Sequence, residues 1–152
     1  MWMTMADFNT EVENRIKQQA SSDELQKATK TFMEASLRQK YSYNFSWMER
    51  PIIQYPQDIL MMQEIIWSVK PDLIVETGIA HGGSLIFSAS LLSLLDLADL
   101  HEGKINVDEM VGSRRKVLGI DIDIREPNRI AIDKHPMSDR IQMIQGSSVD
   151  QE

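Results

Sequence analysis

The sequence predicts an α/β fold in which an N-terminal helical part precedes a short parallel sheet. Three observations carry that prediction. The apolar period changes from helical to strand-like after Pro71, short apolar runs then alternate with helical segments, and a glycine-containing loop lies between the first such run and a very apolar helix. The 152 residues are 42% hydrophobic and 26% charged, the balance of a globular chain long enough to bury a core. A helical cap is expected over residues 1–45 and a partial sheet domain over 46–152, with no repeat and no linker-like tract between them.

Val12 and Ile16, four apart among polar neighbours, predict a lightly buried helix over about 6–19. Ser21-Ser22-Asp23-Glu24 reads as a capping box, the Ser21 hydroxyl accepting the Glu24 amide while that carboxylate reaches back. The helix it opens has Leu25, Ala28, Phe32 and Ala35 on its apolar face and fades near Gln39 to Ser42. The stretch from Tyr41 to Met48 concentrates aromatics without either period, which predicts an irregular, partly buried segment. Pro56 suits a first helical position, and Ile59, Met62, Ile66 and Val69 follow at helical spacing as far as Lys70-Pro71. Leu73-Ile74-Val75-Glu76 then reads as a buried parallel strand, left through Thr77-Gly78, and Ser84 to Leu95 as a helix buried over most of its girth. About 96–115 is a mixed insertion that includes the basic run Arg114-Arg115-Lys116. Val117 to Asp121 is a second strand, Pro127 opens a short helix through Ile130 and Ile132 that His135-Pro136 stops, and Ile141 to Gln145 is a third strand ending at Gly146. Three strands joined by helical segments predict right-handed crossovers and a parallel sheet.

Composition excludes several function classes. A net charge of -7 argues against a surface that neutralises nucleic-acid phosphate or lies on an anionic membrane, and leaves a small-molecule substrate as the expected partner. The absence of cysteine removes disulfides, thiolate metal sites and cysteine nucleophiles, and fits a reducing compartment. No run of about 18 apolar residues predicts a transmembrane segment. The start lacks the basic flank and apolar stretch of a secretory signal, so a cytoplasmic setting is the default.

The strongest constellation is Glu76-Thr77-Gly78-Ile79-Ala80-His81-Gly82-Gly83-Ser84, between a strand end and a helix start. Glycines there let backbone amides approach a ligand, and the first helical turn offers unpaired donors. The spacing is neither Gly-x-Gly-x-x-Gly nor a Walker loop, so dinucleotide and nucleoside-triphosphate readings lose ground. The acid before the glycines can bear on an ammonium group, as the aminoacyl end of S-adenosylmethionine requires, whereas it would repel a pyrophosphate. The plainer alternative is that Glu76 caps the loop by bonding its amides. Asp121, at the end of the second strand, stands where folds of this type bond both hydroxyls of a ribose. Asp121 with Asp123 would be an incomplete metal pair, and Asp123 reads as a solvated strand end. Gln145-Gly146-Ser147-Ser148-Val149-Asp150 forms a turn that could close over an adenine, though these are also ordinary turn residues. His81 reads as a structural or ligand-contact residue, and the ten methionines as packing.

On these residues the sequence resembles the cephalosporin hydroxylase family, which lies among the class I S-adenosylmethionine-dependent methyltransferases and includes rhamnosyl O-methyltransferases. The resemblance covers about residues 40–150. It rests on Trp47 with Pro51, on the segment from Pro51 to Asp58, on the loop from Val75 to Leu85, and on Leu118-Gly119-Ile120-Asp121-Ile122-Asp123-Ile124-Arg125. It implies a Rossmann-like class I methyltransferase fold, of which this chain holds the N-terminal part, helical cap plus about three strands. It also implies S-adenosylmethionine as cofactor and methyl transfer to a hydroxyl of a sugar, a glycolipid or a secondary metabolite. By the same resemblance Glu76, Thr77, Gly78, Ala80, His81, Gly82, Gly83 and Ser84 hold the methionine end, Asp121 the ribose, and Ser148 with Val149 neighbour the adenine. Gln54 lies near the cofactor edge, and no catalytic base is assigned.

Two departures stand out. Met48-Glu49-Arg50 replaces a small apolar stretch with glycine, which reshapes that loop. The family sheet runs 3-2-1-4-5-7-6, and the sequence ends after the third strand, so the acids for a divalent metal such as Mg belong to a full-length relative only. Strand one is then an exposed edge, and a homo-oligomer, or completion by a C-terminal half, is expected. Two further readings stand beside the enzyme: a non-catalytic binding or assembly module completed by a partner chain, and an NAD-dependent reductase, which Glu76 and the glycine spacing disfavour.

Overall fold

The computed structural model describes residues 4–112 and 114–149, in two compact units, Met1–Tyr41 and Ser42–Glu152. The first is a pair of helices, α1 (Met5–Ala20) and α2 (Asp23–Arg38). Thr4 opens α1 with a reciprocal cap: its hydroxyl accepts the Asp7 amide at 3.1 Å while the Asp7 carboxylate takes the Thr4 amide at 3.1 Å. The capping box expected at Ser21 is displaced. Ser21 closes α1, its hydroxyl donating to the Gln18 carbonyl at 2.9 Å, and Ser22 caps α2 by accepting the Leu25 amide at 3.3 Å. With Ser21 spent on the last turn of one helix, the start of the next moves on by one residue.

The second unit begins with a correction. Within the stretch read as irregular, β1 (Phe45–Trp47) pairs antiparallel with β2 (Arg50–Ile52). Met48 and Glu49 make the two-residue turn, both left-handed with φ of 44° and 68°. Hairpin turns of this kind ordinarily carry Asn-Gly or Asp-Gly, so Met-Glu conceals this one. Each such non-glycine residue costs on the order of 1 kcal/mol, which anchors around the hairpin must offset. The Trp47 indole donates to the Ser90 hydroxyl at 3.1 Å and meets the Phe87 ring edge-on at 4.9 Å, and His135 Nε2 lies 3.0 Å from the Met48 carbonyl.

Helix α3 (Pro56–Val69) starts at the predicted proline and stops at Lys70 in a left-handed cap. There follow β3 (Leu73–Thr77), α4 (Gly83–His101), α5 (Val107–Val111), β4 (Lys116–Asp121), α6 (Glu126–Asp133) and β5 (Ile141–Gln145). The strands are parallel in the order β3-β4-β5, the partial Rossmann-like fold that the sequence implies. Helix α4 fills the core with Leu85, Ile86, Ala89, Leu92 and Leu95, each at most 2% exposed, and runs well beyond the expected Leu95. By length and composition α4 could cross a membrane, but 61% of its apolar window is buried, and its apolarity serves the core.

Among the described residues, one face of the sheet is covered and the other is open. Val117 and Gly119 turn toward α4, whereas Leu73 and Val75 of β3 and Ile144 of β5 are 52%, 55% and 52% exposed. The strand read as buried is therefore half open, because no layer of the described residues lies on its other face.

The span read as an insertion closes the opposite end of the sheet. Arg115 and Arg140 reach into the last turns of α4, where Asp96 bonds both guanidinium groups and Asp99 takes the second arm of Arg115 at 2.8 Å. All four side chains are buried. Buried charges of this kind persist when they are paired, and of these groups Arg115 Nε has no hydrogen-bond partner among the described residues.

Candidate functional site

The carboxyl ends of the three strands carry the predicted residues, and three hollows lie there. The largest, about 550 Å³, is walled by the loop from Glu76 to Ser84 and by Pro51, Gln54 and Asp58, with Phe87 beneath. All eight loop residues named from the sequence line it, as does Gln54. A second hollow of about 280 Å³ holds Ala80, His81, Asp121, Asp123, Arg125 and Asn128. A third, of about 340 Å³, brings Thr77, Gly78 and Asp121 together with Gly146, Ser147 and Ser148. Asp121 thus lines both smaller hollows. Val149 is not among those residues and is 82% exposed; Asp150 lies outside the described residues.

The two acids exchange the local roles that the sequence left open. Glu76 bonds no loop amide; it accepts the Ser84 hydroxyl, at the first turn of α4. Burial lifts its carboxyl above the ordinary 4.5, against the opposing effect of Ser84. An approaching ammonium group would relieve that cost. The amide-bonding acid is Asp121. One oxygen accepts from Ile79 at 2.6 Å and Ala80 at 3.4 Å, the other from Asp123 at 3.0 Å. The Asp123 amide and then the Ile79 amide hold its carboxyl below the ordinary 3.8.

Glycine enters this site for two distinct reasons. Gly78 has φ of 88° with open space where a side chain would sit, so its backbone conformation alone demands glycine. Gly83 is buried, and a Cβ there would stand 2.2 Å from the Pro51 carbonyl oxygen. It allows β2 to press on the start of α4, a packing role that the sequence reading missed.

Two more residues were missed. Arg50 donates to the His81 carbonyl from Nε at 3.1 Å and from a terminal nitrogen at 2.5 Å, and Asn128 donates to the Ala80 carbonyl at 2.7 Å. The only sequence signal for Arg50 was the departure at Met48-Glu49-Arg50; Asn128 gave none. Among the described residues no three His, Asp or Glu side chains come together as a metal set.

A family model described as rhamnosyl O-methyltransferase/CmcI matches residues 39–152. A solved structure titled "cmcI-N160 SAH" is similar at a TM-score of 0.44 and 21% identity, over 71% of this chain and 47% of that one. The chain therefore spans about half the length of that structure. No curated protein matches the sequence.

Proposed function

Because the chain belongs to the rhamnosyl O-methyltransferase/CmcI family over residues 39–152, we propose that it carries the cofactor-binding part of an S-adenosylmethionine-dependent O-methyltransferase. The observation that carries this reading is the Glu76 carboxylate, half-buried in the wall of the 550 Å³ hollow and ready for an ammonium group. That volume falls in the range of small-molecule sites, roughly 300–1,000 Å³. In this reading Glu76 and the loop through Ser84 hold the methionine end. Asp121 has three of its roughly four acceptor positions on amides and keeps capacity for a ribose hydroxyl. Ser148 closes the adenine end, with Val149 beside it. When bound, the cofactor supplies an electrophilic methyl group; the residues present here bind and orient it. The acceptor is a hydroxyl of a sugar, a glycolipid or a secondary metabolite. The cytoplasmic setting in this proposal rests on the sequence alone.

Calorimetric titration with S-adenosylmethionine, S-adenosylhomocysteine and NADH tests the reading. Binding of the adenosyl ligands without NADH is expected, and the converse would end it. The open apolar face of the sheet favours one companion reading, that a second copy covers it; a module without catalysis would use the same face. Sedimentation should then give a dimer, and a stable monomer would overturn this companion reading.

A further inference from the structure

We propose that Arg50 and Asn128 are positioning residues that clamp the glycine loop in the shape an adenosyl ligand needs, an inference that rests on the cofactor reading above. The two side chains come from different elements, β2 and α6, and meet over the loop: a terminal nitrogen of Arg50 lies 3.3 Å from Asn128 Oδ1. Between them they hold two consecutive carbonyls, Ala80 by Asn128 and His81 by Arg50. The amides of Ile79 and Ala80 are held from the other side by Asp121. Three successive residues are thus fixed by partners 31 to 48 positions away in sequence.

The loop needs such fixing. Ala80 is left-handed, with φ of 46°, and a non-glycine residue stays in that region only where its surroundings over-determine it. The clamp is itself anchored. Arg50 follows the turn at Met48 and Glu49, and His135 accepts the Met137 amide at Nδ1, which leaves Nε2 to donate to the Met48 carbonyl. Among the described residues, every hydrogen bond of the Arg50 side chain goes to the loop or to Asn128. A lysine could supply one donor direction but not the fork.

The test uses the full chain with Arg50→Ala, Arg50→Lys, Asn128→Ala and the Arg50→Ala/Asn128→Ala double variant. Three measurements are made on each: titration with S-adenosylhomocysteine, thermal melting, and hydrogen exchange at Ile79 and Gly82, whose amides donate to the Asp121 carboxylate and the Ile79 carbonyl. Arg50→Ala should weaken binding roughly tenfold and speed exchange at those amides, while β4 amides and the melting temperature change little. Arg50→Lys should fall between, and the double variant should lose little more than the worse single variant. Affinity within about twofold of the parent in Arg50→Ala overturns the positioning role whatever the exchange shows. Should Arg50→Ala not fold, Arg50→Lys and Asn128→Ala carry the same comparison. A parent chain that binds no adenosyl ligand refutes the cofactor reading instead; exchange alone then decides the clamp, faster exchange supporting it and unchanged exchange overturning it.

Discussion

The two ends of the parallel sheet handle their acids in opposite ways. At the amino ends of β4 and β5, Asp96 and Asp99 are sealed against Arg115 and Arg140, charge against charge, and among the described residues Arg115 Nε is left as a buried donor without a hydrogen bond. At the carboxyl ends, neither Glu76 nor Asp121 makes an ion pair among the described residues: a serine hydroxyl bonds the first and three backbone amides bond the second. Both arrangements hold their carboxylates in hydrogen bonds. Only the second leaves carboxylates lining a hollow, and that difference separates an end that holds the fold from an end that can take a ligand.

The largest expected effect breaks the sealed end. Asp96→Ala leaves two buried guanidinium groups without their shared partner and should cost about 3–5 kcal/mol in denaturant unfolding. Next comes Gly83→Ala, which forces a side chain against the Pro51 carbonyl; about 1–3 kcal/mol of destabilisation should follow in the same assay. At the open end, Asp121→Ala should weaken S-adenosylhomocysteine binding by about 1–3 kcal/mol, whereas Asp123→Ala, which keeps the amide that bonds Asp121, should change it by less than about 0.5 kcal/mol. Equal losses in calorimetry would show that the ribose acid is wrongly assigned.

The pH dependence sharpens the contrast. The hydrogen bond from Arg115 holds Asp99 below its ordinary 3.8, so its contribution to stability is present above 3.8 and is lost as the pH falls through the lowered value. Glu76 runs the other way: its carboxyl is raised above 4.5 by burial, so stability declines as the pH rises from 4.5 through the raised value. An ammonium-bearing ligand needs the charged form, and its affinity should drop as the pH falls through that same value. Unfolding and titration across an acidic pH series, with Glu76→Gln as the reference, measure both trends; an affinity for the adenosyl ligand that is flat with pH in the parent and equal in Glu76→Gln would remove Glu76 from the site.

The sequence revealed what its periodicity encodes. Strand-length apolar runs located β3, β4 and β5 within a residue, and Pro56 located α3, because each signal is local. The hairpin stayed hidden because Met48-Glu49 lacks the turn chemistry that would announce it. Arg115 stood in the sequence as one member of a basic run within a mixed insertion, since nothing local tells a buried arginine from an exposed one; its partners lie 16 and 19 residues away on α4. The same distance problem applies to the site. The loop and Asp121 were legible as strand-end residues, but which acid bonds the loop amides depends on a contact across 42 residues, and the clamp spans up to 78.

The Trp47 indole gives this architecture an optical readout. Its ring stands edge-on to Phe87, which lines the largest hollow, and its N–H is tied to Ser90 one turn further along α4. Of the other two tryptophans in the chain, Trp67 is 48% exposed and Trp2 lies outside the described residues. A ligand that settles on Phe87 alters the surroundings of a chromophore already fixed in place, so intrinsic emission can register occupancy of the hollow without any label.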